Sequence, residues 1–236
     1  MIDIPVYKPT GEQVGTYQVD EQLLGGEVRP ALLKQAFVRY HANRRSVNAT
    51  TKSRGMVRGS TRKLYKQKGT GNARRGDKKA NILRGGGHAK AKVPHSWRQG
   101  MPTKMRRLAN RNAILAKAVD HEIKLIETSG FSGDEKPSTK RFASLLSALK
   151  VDRSCLVALA DAASPEAKSA ANLESVSTTQ IDRLNAFDLL NHRYLVAHKD
   201  AFEAYVNRVA ERAQAQKAGG RDGVVAQSDT PDGEAA

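Results

Sequence analysis

The chain has 236 residues, 40 of them Lys or Arg and 24 Asp or Glu, for a formal net charge of +16. Its 39% hydrophobic content suffices for a core and excludes a wholly disordered polymer. The longest clean apolar run, Cys155 to Ala160, is too short to cross a bilayer, and a lone Cys155 excludes a disulfide framework and a cysteine-based zinc site.

Strands are expected first. Ile2, Ile4 and Val6 alternate, Thr10-Gly11 forms a turn, and Val14 to Val19 is rich in β-branched and aromatic residues. Asp3 and Pro5 stand where a signal peptide would need basic and apolar residues, so a cytosolic protein is expected. Pro30 opens a helix on which Leu33, Ala36, Phe37 and Tyr40 share one face. Between about Asn48 and Pro102 both periodicities vanish. Thr103 then caps a helix expected to carry Met105, Leu108, Leu115, Val119, Ile123 and Ile126 on one side. Beyond Gly130 helix and strand alternate: a helix through Phe142 and Leu149, the apolar strand Cys155 to Ala160, and a helix from Pro165. A strand follows at Leu173 to Ser177, a helix at Asn185 to Asn191, a strand at Tyr194 to Ala197, and a last helix capped by Asp200. Apolar strands separated by amphipathic helices indicate an α/β fold, a three-layer parallel sheet with helices on both faces. The expected organisation is one globular domain over residues 1–213, a basic glycine-rich extended arm over 48–102 inserted between two helices, and a disordered tail over 214–236.

The charge is concentrated. Arg39 to Arg107 holds 21 Lys and Arg and one acid, Asp77, so the remainder is slightly acidic. A polyanion is the expected partner. Candidate contacts along the block are Arg39, Arg44, Arg45, Arg58, Arg62, Lys63, Lys66, Lys68, Arg74, Arg75, Lys78, Lys79, Arg84, Lys90 and Lys92, continuing with Lys104, Arg106 and Arg107 on the next helix. Tyr65 and Trp97 offer stacking surfaces and Gln67 a neutral hydrogen-bonding group. Guanidinium groups grip phosphates bidentately, and glycines permit close backbone approach. The mixture suits folded RNA better than a DNA groove, because no helix-turn-helix or finger pattern is present. Gly69-Thr70-Gly71-Asn72 and Gly85-Gly86-Gly87 are read as the arm's tip, bare backbone able to pass a narrow RNA crevice.

The fingerprints of catalysis are missing. Gly69, Gly71 and Gly76 follow no strand, and Gly85-Gly86-Gly87 lacks the Lys-Ser/Thr pair of a phosphate loop. The six histidines show no ligand spacing, so no metal, cofactor or catalytic residue is expected. An RNA-modifying α/β enzyme of methyltransferase type, and a regulator of mRNA or transcription, remain as alternatives.

The stretches Lys63 to Asp77 (KLYKQKGTGNARRGD), Ile82 to Pro94 (ILRGGGHAKAKVP), Met101 to Leu115 (MPTKMRRLANRNAIL) and Leu184 to Arg208 resemble the bacterial family of large-subunit ribosomal protein L four. The resemblance implies a structural, non-enzymatic rRNA-binding component of the large ribosomal subunit, acting early in assembly. It implies a basic arm whose tip lines the exit tunnel, with rRNA, neighbouring ribosomal proteins and the nascent polypeptide as partners and no membrane, and in some members repression of the protein's own operon. Tyr65 stands where the family usually has tryptophan, and Asn72 where it has arginine. His88, Lys90 and Lys92 stand where an aromatic residue and a further glycine are usual.

Overall fold

The structure is a computed structural model and describes residues 1–46, 48–127 and 136–218. The chain divides into two compact units, Met1–Phe37 with Met101 onward, and Val38–Gly100.

The first unit is built on a six-stranded sheet. Strands β1 (Ile2–Tyr7) and β2 (Gln13–Val19) form an antiparallel hairpin, with Ile2 opposite Val19 and Ile4 opposite Tyr17. Helix α1 (Pro30–Asn43) leads into the second unit, and α2 (Thr103–Val119) returns from it. There follow β3 (Ile123–Ile126), α3 (Thr139–Ala148), β4 (Cys155–Leu159), α4 (Pro165–Ala170), β5 (Val176–Gln180), a 3-10 turn at Ile181–Arg183, α5 (Ala186–Asn191), β6 (Tyr194–His198) and α6 (Lys199–Ala218). The strand order is β2-β1-β3-β6-β4-β5, and every pairing other than β1 with β2 is parallel.

Side-chain alternation on the central strands creates two cores. On β4, Leu156 and Ala158 join one core, while Cys155, Val157 and Leu159 join the other. On β6, Leu195 and Ala197 go one way and Val196 the other. The first core is covered by Leu33 of α1, Ala113 and Ile114 of α2, Leu189 of α5 and Phe202 of α6. The second is covered by Phe142, Leu145 and Leu146 of α3 and by Ala167 and Ala170 of α4. Helices on both faces of a mostly parallel sheet make the three layers of an α/β fold.

Local chemistry sets several ends. Ser138 accepts from Arg141 N at 3.4 Å, Ser164 from Ala167 N at 3.2 Å and Asn185 from Asp188 N at 2.9 Å, capping α3, α4 and α5. The long helix expected through Ile126 stops at Val119. Asp120 ends it, His121 takes a left-handed conformation (φ +54°), and Glu122 N donates to Lys117 O at 2.9 Å. Ile123 and Ile126 thereby become β3, at the middle of the sheet. Their spacing from Leu115 and Val119 fits a helix, but β-branched residues beyond a helix stop pair equally well as a strand.

Four further expectations change. The sheet is mixed, because β1 and β2 are joined by a tight turn that only an antiparallel pair allows. The strand expected at Leu173 to Ser177 runs instead over Val176–Gln180. Thr103 is the first helical residue of α2, behind Pro102, and its side chain makes no cap. Asp200 lies inside the first turn of α6, which extends to Ala218, into the segment expected to be disordered from Gln214. The rest of that segment, 219–236, lies outside the described residues.

Candidate nucleic-acid interface

Among its described residues Val38–Gly100 has no strand of its own. Beyond the end of α1 it consists of turns and bends. Glycines and clustered cations disfavour a pleated ladder, and isolated hydrogen bonds tie its two runs together instead. At the base, Gln99 N donates to Asn43 Oδ1 at 2.8 Å and Asn43 Nδ2 to Gln99 O at 3.4 Å. The Arg45 guanidinium lies 3.9 Å above the centre of the Trp97 ring, and His95 meets that ring edge-on at 5.0 Å. Trp97 is therefore engaged on one face within the arm, and it is 42% exposed.

Further out, Thr51 N donates to Lys92 O at 3.0 Å, Lys92 N to Thr51 Oγ1 at 2.7 Å and His88 N to Lys52 O at 2.9 Å. The glycine triplet sits at this level. A Cβ on Gly87 would lie 2.2 Å from Arg54 N, and one on Gly86 would lie 1.9 Å from Ala80 O. These two glycines let two parts of the arm's own backbone touch, a role different from the threading tip proposed for them from sequence.

The distal loop is closed by Leu64 N donating to Gly76 O at 3.0 Å, by Tyr65 Oη donating to Ala73 O, and by Lys63 Nζ donating to Gln67 Oε1. Gly69 (φ +86°) and Gly71 (φ +66°) lie at its end, with no atom within 4 Å of either hypothetical Cβ. Thr70 and Asn72, beside them, are exposed. The left-handed backbone, rather than crowding, demands glycine here.

The cations point outward. Every Lys and Arg from Arg39 to Arg98 is exposed except Arg39 and Lys79, which are half-buried. Arg39 Nε is buried and has no hydrogen-bond partner among the described residues. Residues absent from the sequence-based candidates join the same surface: Lys52, Arg54 and Arg98 are exposed arm cations as well. Their charge was visible in sequence, whereas the Asn43–Gln99 and Arg45–Trp97 pairings, between residues far apart in the chain, carried no local signal.

Lys104 and Arg107 lie on the sheet unit, in a groove of about 400 Å³ that Arg111 and Arg212 also line. Arg106, on the same helix, is half-buried and does not line it.

α/β enzymes hold ligands at the C-terminal ends of the parallel strands, and at that edge two polar side chains of the described residues pair with each other. Glu166 and His198 meet there at 2.7 Å, beside a cavity of only about 10 Å³, room for one water at most. Cys155 is fully buried, and burial pushes its thiol up to about 12, so it stays protonated at neutral pH. No cluster of three potential metal ligands occurs among the described residues.

The model of the ribosomal protein L4/L1 family matches residues 17–208. The chain is similar to large ribosomal subunit protein uL4 of Dehalococcoides mccartyi strain BAV1, at 38% identity over 200 residues, covering 85% of this chain and 94% of that protein. The uL4 of Desulforudis audaxviator is 37% identical over 196 residues, 83% of this chain and 93% of that protein. That of Desulfatibacillum aliphaticivorans is 34% identical over 209 residues, 89% of this chain and 100% of that protein.

Proposed function

The chain belongs to the ribosomal protein L4/L1 family, and from that premise we propose that the unit Val38–Gly100 is the element that carries it into rRNA. The protein is a structural, non-enzymatic constituent of the large subunit of cytoplasmic ribosomes, held there by rRNA and by other ribosomal proteins. One observation carries the assignment to the arm: its cations face outward from a backbone that a few hydrogen bonds of its own hold together, with Asp77 the only carboxylate among them. A surface of this kind gains by displacing condensed counterions from phosphates. The half-buried Arg39 supports the reading too, since an unpartnered buried donor costs about 1–3 kcal/mol until an acceptor meets it.

In this reading Lys66, Lys68, Arg74 and Arg75 anchor the distal loop on phosphates. Gly69-Thr70-Gly71-Asn72, small and open to solvent, then pass between RNA elements to the wall of the exit tunnel, where the nascent polypeptide moves. An arm that must be enclosed by RNA has to enter before the RNA closes, which makes the protein an early participant in assembly.

The test is the salt dependence of binding to rRNA fragments. If the arm neutralises about 6–10 phosphates, affinity falls by roughly 10³–10⁵ between 50 and 200 mM salt. Lys68→Ala or Arg74→Ala lowers the logarithmic slope by about one each. A nearly flat response in the unaltered protein would remove the arm as the binding element.

A further inference from the structure

The groove on the sheet unit has a composition of its own. Lys104, Arg107 and Arg111 come from α2, and Arg212 from α6. Its one carboxylate, Asp182, already has the Arg208 guanidinium at 2.5 Å, so the groove keeps an excess of positive charge. Leu108, Leu184 and Val209 supply apolar lining, with Tyr205 beside them. About 400 Å³ is room for a few residues of peptide, and a cationic rim over an apolar lining fits a segment that mixes carboxylates with small aliphatic side chains.

This chain carries such a segment. Residues 219–236, outside the described residues, contain Asp222, Asp229, Asp232 and Glu234 against the single Arg221, with Val224-Val225 between the first two acids. The segment continues directly from the helix that forms one wall. Helix α6 runs six residues past Arg212, to Ala218, about 9 Å of axial rise. Three residues of extended chain recover that distance, so Val224-Val225 and the acids around them can lie along the groove. We propose that in the free protein Val224-Val225 seat on the apolar lining of the groove of Lys104, Arg107, Arg111 and Arg212, while the carboxylates among residues 222–234 lie along its cationic rim. The inference requires no RNA, so it stands or falls apart from the role given to the arm.

The experiment places a nitroxide on the full chain at Ser228→Cys. Cys155, fully buried, does not compete for the label. In about 50 mM salt the amides of Lys104 and Arg107 broaden, while those of Phe142 and Leu145, on the other face of the sheet, do not. Salt of about 0.5 M restores the signals, because screening then acts within a few ångströms. The companion variant, Asp222→Asn, Asp229→Asn, Asp232→Asn and Glu234→Gln, alters none of the described residues and loses the broadening. Three results would overturn the proposal: no selective broadening in the native chain, broadening that survives neutralisation, or groove signals that respond to added single-stranded RNA equally in both chains. The last would make the groove an RNA surface that the acidic segment leaves alone.

Discussion

The two units handle burial in opposite ways. In the sheet unit all five residues of β4 are buried, alternately into two cores. In Val38–Gly100, Gly87 alone is fully buried among the described residues, and it has no side chain. Hydrophobic burial therefore stabilises the first unit, while the second is shaped by hydrogen bonds such as Asn43–Gln99, Thr51–Lys92 and Leu64–Gly76. The contrast separates stability from binding. A region that buries almost nothing can present nearly all its charge to a partner, but it depends on a neighbour to hold its ends.

Mutations should divide along the same line. Phe202, fully buried in the first core, gives the largest effect: Phe202→Ala costs about 3–5 kcal/mol of stability in denaturant melts. The salt slope of RNA binding by the remaining folded protein stays unchanged. A fall in slope as steep as the fall in stability would mean that the two units are one.

Gly87 and Gly71 sharpen the comparison within the arm. Gly87→Ala forces a Cβ against Arg54 backbone, an overpacking that costs about 1–3 kcal/mol locally. It should accelerate hydrogen exchange at His88 and Lys92 while leaving the melting temperature of the sheet unit in place. Gly71→Ala, in open space, strains only its own backbone and leaves those amides protected. Equal responses would erase the distinction between the packed glycines and the open ones.

The last effect is alkaline and is absent at neutral pH. The Cys155 thiol is raised from 9.0 to about 12, chiefly by burial. A group raised in the folded state contributes stability that is complete below its unfolded value and is lost as pH climbs toward the folded one. The loss starts near pH 9 and approaches about 1.4 kcal/mol per pH unit. Cys155→Val should flatten stability between pH 9 and 11; an unchanged profile would assign the alkaline loss to other groups.

Much of this architecture was legible in the residues themselves. The run Cys155 to Ala160 reads as a buried strand because it is apolar throughout, and β4 covers Cys155–Leu159 of it; the basic block stands out because carboxylates all but vanish from it. The helix-to-strand switch at His121 was hidden, since Leu115, Val119, Ile123 and Ile126 keep a helical spacing across it. The glycines of the arm look alike in sequence, yet Gly86 and Gly87 are crowded by backbone brought from elsewhere while Gly69 and Gly71 are open. The partner of Trp97 was equally hidden. An aromatic ring in a basic segment suggests stacking on bases, but Arg45, brought close by the return of the chain, already covers one face. What local periodicity and composition encode was readable, and what depends on two distant stretches meeting was not.

Two roles are proposed for the two units: the sheet unit folds by itself, and the arm supplies the RNA affinity. Replacing residues 48–102 by a short Gly/Ser linker tests both halves at once, since changing loop length alters closure entropy only slowly. The expected result is a cooperative melt close to that of the full chain, together with loss of the steep salt dependence of rRNA binding. A chain that no longer melts cooperatively, or one that keeps the full salt slope without its arm, would contradict it.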